Sequence, residues 1–345
     1  MKSDFAYLLL HWYSANKRDL PWRKNSEAYR VWLSEVILQQ TRVAQGLSYY
    51  HAFVETFPTI QDLANAPEED VLKLWQGLGY YSRARNMHHT AKVISTTLKG
   101  KFPETAGELE KFKGIGPYTA AAIASICFGE QVAVVDGNVN RVISRFFGVK
   151  EAVDSVIGKK KINQIANSLV PKSNPGDFNQ AMMEFGALLC TPQNPQCTQC
   201  PLSAGCYALG HNMVDSLPIK TPKKEVRKLF IYYFRVEAGE NYYLRKRIEP
   251  GIWRNLFEFP SLESFTEKNQ EEISEYLTGL GIPIKSILWK NREYRHILSH
   301  RDISARVIEV KLQSTERIPL HWVKTSPENL SSYAVSRLME KIMEE

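Results

Sequence analysis

Apolar residues recur at helical spacing through the first two hundred positions. Val31, Leu33, Val36, Ile37 and Leu38 form one dense apolar turn, and Val71, Leu72, Leu74, Trp75 and Leu78 are spaced for another. Residues 118–128 are Ala-rich and apolar, which suits a buried helix. Glycines and prolines punctuate these stretches, at Phe57-Pro58, Gly77, Phe102-Pro103, Gly114, Gly116 and Pro175-Gly176. No convincing strand alternation precedes Gly210. After His211 the pattern changes. Residues 217–225 are basic and contain Pro218 and Pro222, the composition of a linker. Strand-like runs follow at 229–236, 242–244, 303–312 and 320–323, with helices predicted near 271–280 and 331–343. The chain therefore reads as an all-α domain (1–210), a linker (211–226) and an α+β domain (227–345).

The length of 345 residues agrees with two domains. No run approaches the roughly 18 apolar residues of a membrane span. The apolar run from Phe5 to Leu10 is short and is followed by His11 and Trp12 with no small-residue cleavage site, so no signal peptide is expected. A formal charge of +7 permits nucleic acid as a partner without demanding it. Cysteine changes the picture more. Of five, Cys190, Cys197, Cys200 and Cys206 crowd into 190–206 as C-x6-C-x2-C-x5-C. An odd count without a secretory signal argues against disulfides and for a reducing cytoplasm. Four thiolates can close a tetrahedral zinc site or hold an iron–sulfur cluster. Structural zinc usually takes two short Cys pairs; a single C-x2-C pair flanked by lone cysteines suits a loop wrapped around a larger cluster.

Three further segments carry candidate chemistry. In Leu109–Ala120, one helical stretch ends at Gly114 and another starts near Pro117, a residue tolerated in a first turn. Gly114 and Gly116 lack a Cβ and allow close approach, and the free N–H groups of the new helix form a phosphate site. By itself G-x-G-P also reads as an ordinary turn. Asp136 follows an apolar run and precedes a helical pattern, so by itself it reads as a helix N-cap. Glu35 is the only carboxylate in the run from Val31 to Val43 and shares a helix face with Val31 and Leu38. Burial there would raise its pKa and suit it to donate a proton near neutral pH. Alternatively it sits at the stripe's edge with its head in water.

Together these segments resemble a known family. The cysteine spacing at the end of an all-α domain is similar to the 4Fe–4S loop of the endonuclease III superfamily of DNA glycosylases. G-I-G-P-Y-T-A followed by V-D-G-N-V-N-R-V resembles that superfamily's helix–hairpin–helix and Asp signature. E-V-I-L-Q-Q-T-R-V resembles the catalytic helix of MutY-type adenine DNA glycosylases, as do L-P-W-R at Leu20–Arg23, W-Q-G-L-G-Y-Y-S-R-A-R-N at Trp75–Asn86 and N-Q-A-M-M-E-F-G-A at Asn179–Ala187. The resemblance spans essentially the whole chain.

It implies a 4Fe–4S cluster on Cys190, Cys197, Cys200 and Cys206, and a base-excision-repair reaction in which adenine opposite 8-oxoguanine or guanine is flipped from double-stranded DNA and excised. Glu35 would be the acid that protonates adenine N7. Asp136 would stay ionised and stabilise positive charge at C1′, with Tyr118 and Asn138 assisting. Relatives with lyase activity carry a Lys where this chain has Tyr118, which implies a monofunctional enzyme; Lys113 does not match that position. Trp22, Arg23, Leu38, Val43 and Glu184 would line the adenine pocket. Gln40, Tyr80 and Leu78 would fill the gap left in the duplex, and Gly114 and Gly116 would hold a phosphate. A monomer in the cytoplasm, associated with the nucleoid, is expected.

In the second domain, Gly251–Pro260 resembles the sheet segment of a Nudix-like fold. The run Glu271-Glu272-Ile273-Ser274-Glu275-Tyr276 departs from the Nudix R-E-U-x-E-E helix (U apolar) at both ends, so no diphosphatase activity is expected. The family reads 8-oxoguanine with a loop of the type F-S-H. Here Ser299 and His300 match and Leu298 replaces the aromatic. Two rival functions remain: an endonuclease III-like glycosylase/lyase on oxidised pyrimidines, disfavoured by Tyr118, and a non-catalytic cluster-bearing DNA-binding protein, disfavoured by Glu35 and Asp136 together.

Overall fold

The computed structural model describes residues 2–222, 226–298 and 300–344. The chain forms two compact units. The first comprises Met1–Asn65 and Asn86–Lys223, and the second Ala66–Arg85 and Lys224–Glu345. Chain order alone assigns 66–85 to the first unit; its side chains instead find their partners in the second. Among the described residues no helix is long and apolar enough to cross a membrane.

Among the described residues, twelve α-helices precede the first strand: α1 (Lys2–Asn16), α2 (Ala28–Leu38), α3 (Val43–Thr56), α4 (Ile60–Asn65), α5 (Glu68–Leu74), α6 (Ser82–Thr97), α7 (Ala106–Leu109), α8 (Pro117–Phe128), α9 (Gly137–Phe147), α10 (Val156–Leu169), α11 (Pro175–Leu188) and α12 (Tyr207–Gly210). Their boundaries follow local chemistry. Thr105 and Ser155 cap α7 and α10 through their side chains. Pro117 and Pro175 open α8 and α11. Gly129 and Gly148 end α8 and α9 in the left-handed conformation. One apolar core of this unit joins Phe5 and Leu9 of α1, Val142 and Ile143 of α9, Ile162 of α10 and Phe178, Met182 and Phe185 of α11.

Residues 211–222 have a linker's composition but pack against the first unit. Leu217 is buried, Val153 N–H donates to Ile219 O at 2.9 Å, and Thr221 Oγ1 donates to Asp154 at 2.6 Å. Residues 223–225 of the predicted linker lie outside the described residues.

The second unit holds β1 (Arg227–Ala238), β2 (Asn241–Lys246), β3 (Phe257–Glu258), β4 (Ser261–Ser264), α13 (Gln270–Gly279), β5 (Ile284–Leu298), β6 (Arg301–Leu312), β7 (Trp322–Thr325) and α14 (Arg337–Met343). The mixed sheet runs β3-β2-β1-β6-β5, with β4 on β1 and β7 on β2; only β1–β6 is parallel among these named pairs. Both faces are covered. Ile231, Tyr233 and Ile303 pack with Leu338, Met339 and Ile342 of α14, whereas Tyr232, Phe234 and Ile308 pack with Ile273 and Leu277 of α13. That explains why β1 reads as a continuous apolar run.

Three sequence expectations shift. β5 was not predicted: among the described residues it pairs only with β6, and its mostly polar, half-exposed pattern hides it. The last strand begins at Trp322, because Leu320 is exposed. The last helix begins at Arg337, where Ser336 Oγ caps Met339 N–H; 327–332 form a 3-10 turn. In α13, Asn269 and Glu272 form a capping box, so Glu272 is committed to the helix end and to Lys268.

Candidate active site

Glu35 lies on α2, a helix buried on nearly every side from Tyr29 to Ile37. It is 8% exposed. Burial pushes its carboxyl up to about 7, and the negative charge of Asp136 pushes the same way; the Tyr118 phenol and Arg23 oppose them. Tyr118 sits one residue inside α8. Its hydroxyl donates to Met183 Sδ at 3.3 Å and also faces the Glu35 carboxyl. Burial, reinforced by Glu35 and Asp136, holds the phenol protonated, well above its ordinary range. Gln39 Nε2 donates to Thr119 Oγ1 at 3.2 Å, tying the end of α2 to the start of α8.

Asp136 reaches this place along an extended run. The buried Asn179 of α11 satisfies that run at two points, accepting from Val134 N–H at 3.0 Å and donating to Val132 O at 2.8 Å. Asp136 then caps α9: Oδ1 accepts from Val139 N–H at 2.7 Å, and Oδ2 accepts from Asn138 Nδ2 at 2.7 Å. Burial raises its pKa, while these hydrogen bonds and the Arg141 charge favour the carboxylate. Arg141 donates to Asn138 Oδ1 at 2.8 Å, to Gly186 O at 2.6 Å and to Cys190 O at 2.7 Å. Glu35, Tyr118, Asp136 and Asn138 thus come from three separate motifs into one site.

Two glycines of α11 make that convergence possible. A Cβ on Gly186 would stand 2.6 Å from Asn138 Cβ and 3.0 Å from its Cα; one on Gly176 would stand 2.8 Å from Ile126 Cα. Sequence motifs did not single out either glycine for packing.

Glu184, also on α11, is 1% exposed and takes four hydrogen bonds. Arg18 donates from its backbone N–H at 3.0 Å and from Nε and Nη2 at 2.7 Å each; Arg23 donates from Nη2 at 2.9 Å. Burial pushes this carboxyl up, but the two arginines outweigh burial and hold it at about 2. Arg18 was not anticipated, because nothing in its local sequence marks a partner so distant in the chain. Trp22 is buried edge-on against Tyr50 of α3 at 5.1 Å. Leu38 and Val43 are half-buried at the facing ends of α2 and α3. Between them Gln40 is exposed in the left-handed region at φ 57. Tyr80, in the second unit, is 47% exposed and also left-handed, at φ 47, whereas Leu78 is buried. Two bulky residues held in that region mark stored strain of the kind found at ligand sites.

At the hairpin Gly114 is left-handed at φ 84, and a Cβ there would meet Asn86 Cβ at 2.7 Å. A Cβ on Gly116 would meet nothing within 4 Å, so that glycine leaves open space in front of the α8 N-terminus. In the second unit His300 is exposed on the turn after β5; Ser299 lies outside the described residues.

Cys190, Cys197, Cys200 and Cys206 line a single cavity together with Arg145, Leu189, Pro195 and Leu209. Thiols ringed around a cavity fit a polynuclear cluster. Arg145 is 3% exposed and braces the loop: it donates to Thr191 O at 2.7 Å, Val214 O at 3.0 Å, Leu217 O at 3.1 Å and Pro192 O at 3.2 Å, and to Cys190 Sγ at 3.5 Å.

Comparison with known proteins agrees with this geometry. The HhH-GPD superfamily of base excision DNA repair proteins matches residues 33–172, the iron–sulfur binding domain of endonuclease III matches 190–206, and the NUDIX domain matches 231–345. An adenine DNA glycosylase of Buchnera aphidicola (subsp. Acyrthosiphon pisum, strain APS) is 38% identical over 83% of this chain and 80% of its own. The chain belongs to the adenine DNA glycosylase family. The human adenine DNA glycosylase is 48% identical over 59% of this chain and 39% of its own, and the Rattus norvegicus enzyme 34% over 98% and 77%. A solved thermostable thymine-DNA glycosylase covers 61% of this chain and 97% of its own at 28% identity and a TM-score of 0.57. As an adenine DNA glycosylase the protein is an enzyme of base excision repair, and its segment 190–206 carries a 4Fe–4S cluster.

The glycine at 186 yields a test. Gly186→Ala is expected to slow single-turnover adenine release at least about tenfold by pushing Asn138 and the Asp136 cap out of register. It should also cost about 1–3 kcal/mol of stability through overpacking. Gly107→Ala, where a Cβ meets nothing within 4 Å, is the control; equal behaviour of the two variants would refute the packing argument.

Proposed function

We propose that this chain is a monofunctional glycosylase that flips adenine out of duplex DNA opposite 8-oxoguanine or guanine and hydrolyses its N-glycosidic bond. The observation that carries this reading is a buried glutamic acid, pushed up to about 7, facing a protonated phenol and a helix-capping aspartate. Glu35 then delivers its proton to adenine N7, so that the base leaves neutral. Asp136, held as the carboxylate by Val139 N–H and Asn138, faces the positive charge that develops at C1′. Water completes the hydrolysis and Glu35 is reprotonated from solvent. Tyr118 supplies a hydroxyl where a strand-cleaving enzyme needs an amine to form a Schiff base.

The remaining assignments are part of the same proposal. Trp22, Arg23, Leu38, Val43 and Glu184 hold the flipped adenine. Gln40 and Tyr80, both held in the left-handed region, and Leu78 occupy the gap it leaves. Gly114 and Gly116 bring the α8 N-terminus to a backbone phosphate. Cys190, Cys197, Cys200 and Cys206 hold the cluster, which when bound fixes the loop that follows α11. The second unit reads the opposite base, with Ser299 and His300 contributing hydrogen bonds. The enzyme works as a monomer.

The test is single-turnover cleavage of three duplexes, with adenine opposite 8-oxoguanine, guanine or thymine, each split into samples with and without hot alkali. Fast cleavage of the first, visible mainly after alkali, is expected. Strand scission without alkali would overturn the monofunctional assignment. No adenine release by cluster-loaded protein would overturn the whole reading.

A further inference from the structure

Within the second unit, segment 66–85 and the loop 250–255 enclose a cavity of about 470 Å³, within the roughly 300–1,000 Å³ typical of small-ligand sites. Tyr80, Arg85, Trp253, Leu298, His300 and Arg301 are among the residues that line it. The backbone of the loop is unusual. Trp253 and Asn255 both adopt the left-handed region, at φ 59 and 66. That is an uncommon conformation for a bulky side chain and persists only where surrounding bonds over-determine it.

Those bonds are present. Asn255 N–H donates to Arg247 O at 2.7 Å, and Arg247 N–H donates to Leu256 O at 3.0 Å. Segment 66–85 adds two more: Asn255 Nδ2 donates to Glu68 at 2.5 Å, and Arg85 Nη1 donates to Arg254 O at 2.7 Å. The Trp253 ring is half-buried and rests edge-on against His296 at 5.8 Å. It borders the same cavity as the aliphatic Leu298, whose own side chain offers no ring for stacking.

We propose that Trp253 is a specificity-determining residue that stacks on the 8-oxoguanine opposite the target adenine and supplies the aromatic surface that Leu298 does not. This inference rests on the proposed function, in which the second unit reads the opposite base. A flat indole is suited to a fused purine ring, and its strained, four-fold anchored loop presents it without an ordering cost at binding. Guanine offers the same ring, so the discrimination lies in register: the stack holds the extra carbonyl oxygen of 8-oxoguanine toward the cations Arg85 and Arg301 at the cavity, a contact guanine lacks.

The experiment compares single-turnover rates, with sub-saturating enzyme in excess over trace DNA, for adenine opposite 8-oxoguanine and opposite guanine, in the cluster-loaded full chain. Loss of one base–aromatic stack is expected to lower the ratio of the two rates about tenfold in Trp253→Ala. Trp253→Phe should keep most of the ratio. Adding Leu298→Phe to Trp253→Ala should restore it in large part, because a ring then faces the same cavity. A purely structural Trp253 would instead lower both rates equally, with no rescue from position 298; that result overturns the proposal, as does an unchanged ratio in Trp253→Ala. Should Trp253→Ala not fold, Trp253→Leu replaces it under the same criteria, with Leu298→Phe added to Trp253→Leu as the rescue. A parent enzyme with no preference for 8-oxoguanine is a different result: it overturns the reading of the opposite base itself, and this inference with it.

Discussion

Glu35→Gln is expected to slow single-turnover adenine release by about 10²–10⁴-fold, the usual contribution of a positioned general acid. Glutamine keeps the size of the side chain and can still meet the Tyr118 hydroxyl, so affinity for substrate duplex should stay within a few-fold. The pH profile adds a second readout. The parent's rate should fall above about pH 7 as Glu35 ionises, and the residual activity of the variant should lack that limb. Stability follows the same group with a definite sign. The folded-state pKa of about 7 lies above the ordinary 4.5, so the folded protein holds this proton more tightly than the unfolded chain. The associated stability is complete below about pH 4.5 and is lost as pH rises through 7. Between those limits the parent should lose about 3 kcal/mol that Glu35→Gln does not lose. Denaturant unfolding of both proteins at pH 4.5 and pH 9 measures this. Parallel profiles would mean that Glu35 is not the buried acid.

Asp136→Asn should slow adenine release by about 10²–10³-fold, the scale for removing one preorganised electrostatic partner of a developing charge. The variant should fold, because asparagine Oδ1 can still accept from Val139 N–H and cap α9. What changes is the other oxygen. Asp136 Oδ2 accepts from Asn138 Nδ2 at 2.7 Å, and an amide nitrogen there would set donor against donor. Asn138 cannot simply turn over, since its Oδ1 accepts from Arg141. Loss of the Asp136 charge also removes one of the influences that raise the Glu35 pKa. The alkaline limb should therefore move to lower pH in the variant. A full loss of rate with an unmoved limb would separate the two carboxylates and contradict their shared site.

The motifs around Glu35, Tyr118, Asp136 and the four cysteines were legible because each carries its chemistry in a short run. A lone carboxylate in an apolar helix, a Gly-Pro helix start, an aspartate before a helical pattern and a C-x2-C pair are local signals. Their convergence was not legible. It depends on Gly186 and Gly176, whose importance lies in atoms of Asn138 and Ile126 that pack against them. Arg18 escaped notice because its partner Glu184 is far along the chain. β5 escaped because a strand paired on one side needs little apolar alternation. Trp253 stood inside a recognised motif, yet only the fold shows it beside Leu298 and Tyr80. Periodicity found the helix at 68–74 but could not say which unit would receive it.

That last feature has a consequence for how the protein is made. Residues 66–85 leave the ribosome early, but their partners come late. Glu68 and Arg85 bond to the loop at 254–255, Tyr81 Oη donates to Val335 O at 2.9 Å, and Gln76 and Lys73 reach Glu340 and Ser331. At about 5–20 residues per second, the segment waits on the order of 10–50 s for the last of them. During that interval Glu68 and Arg85 lack the hydrogen-bond partners that residues 254–255 supply. A chain stopped before 226 never gains them. The second unit is built from an early and a late piece of the chain, and a fragment that ends before 226 is born with residues 66–85 lacking their mate.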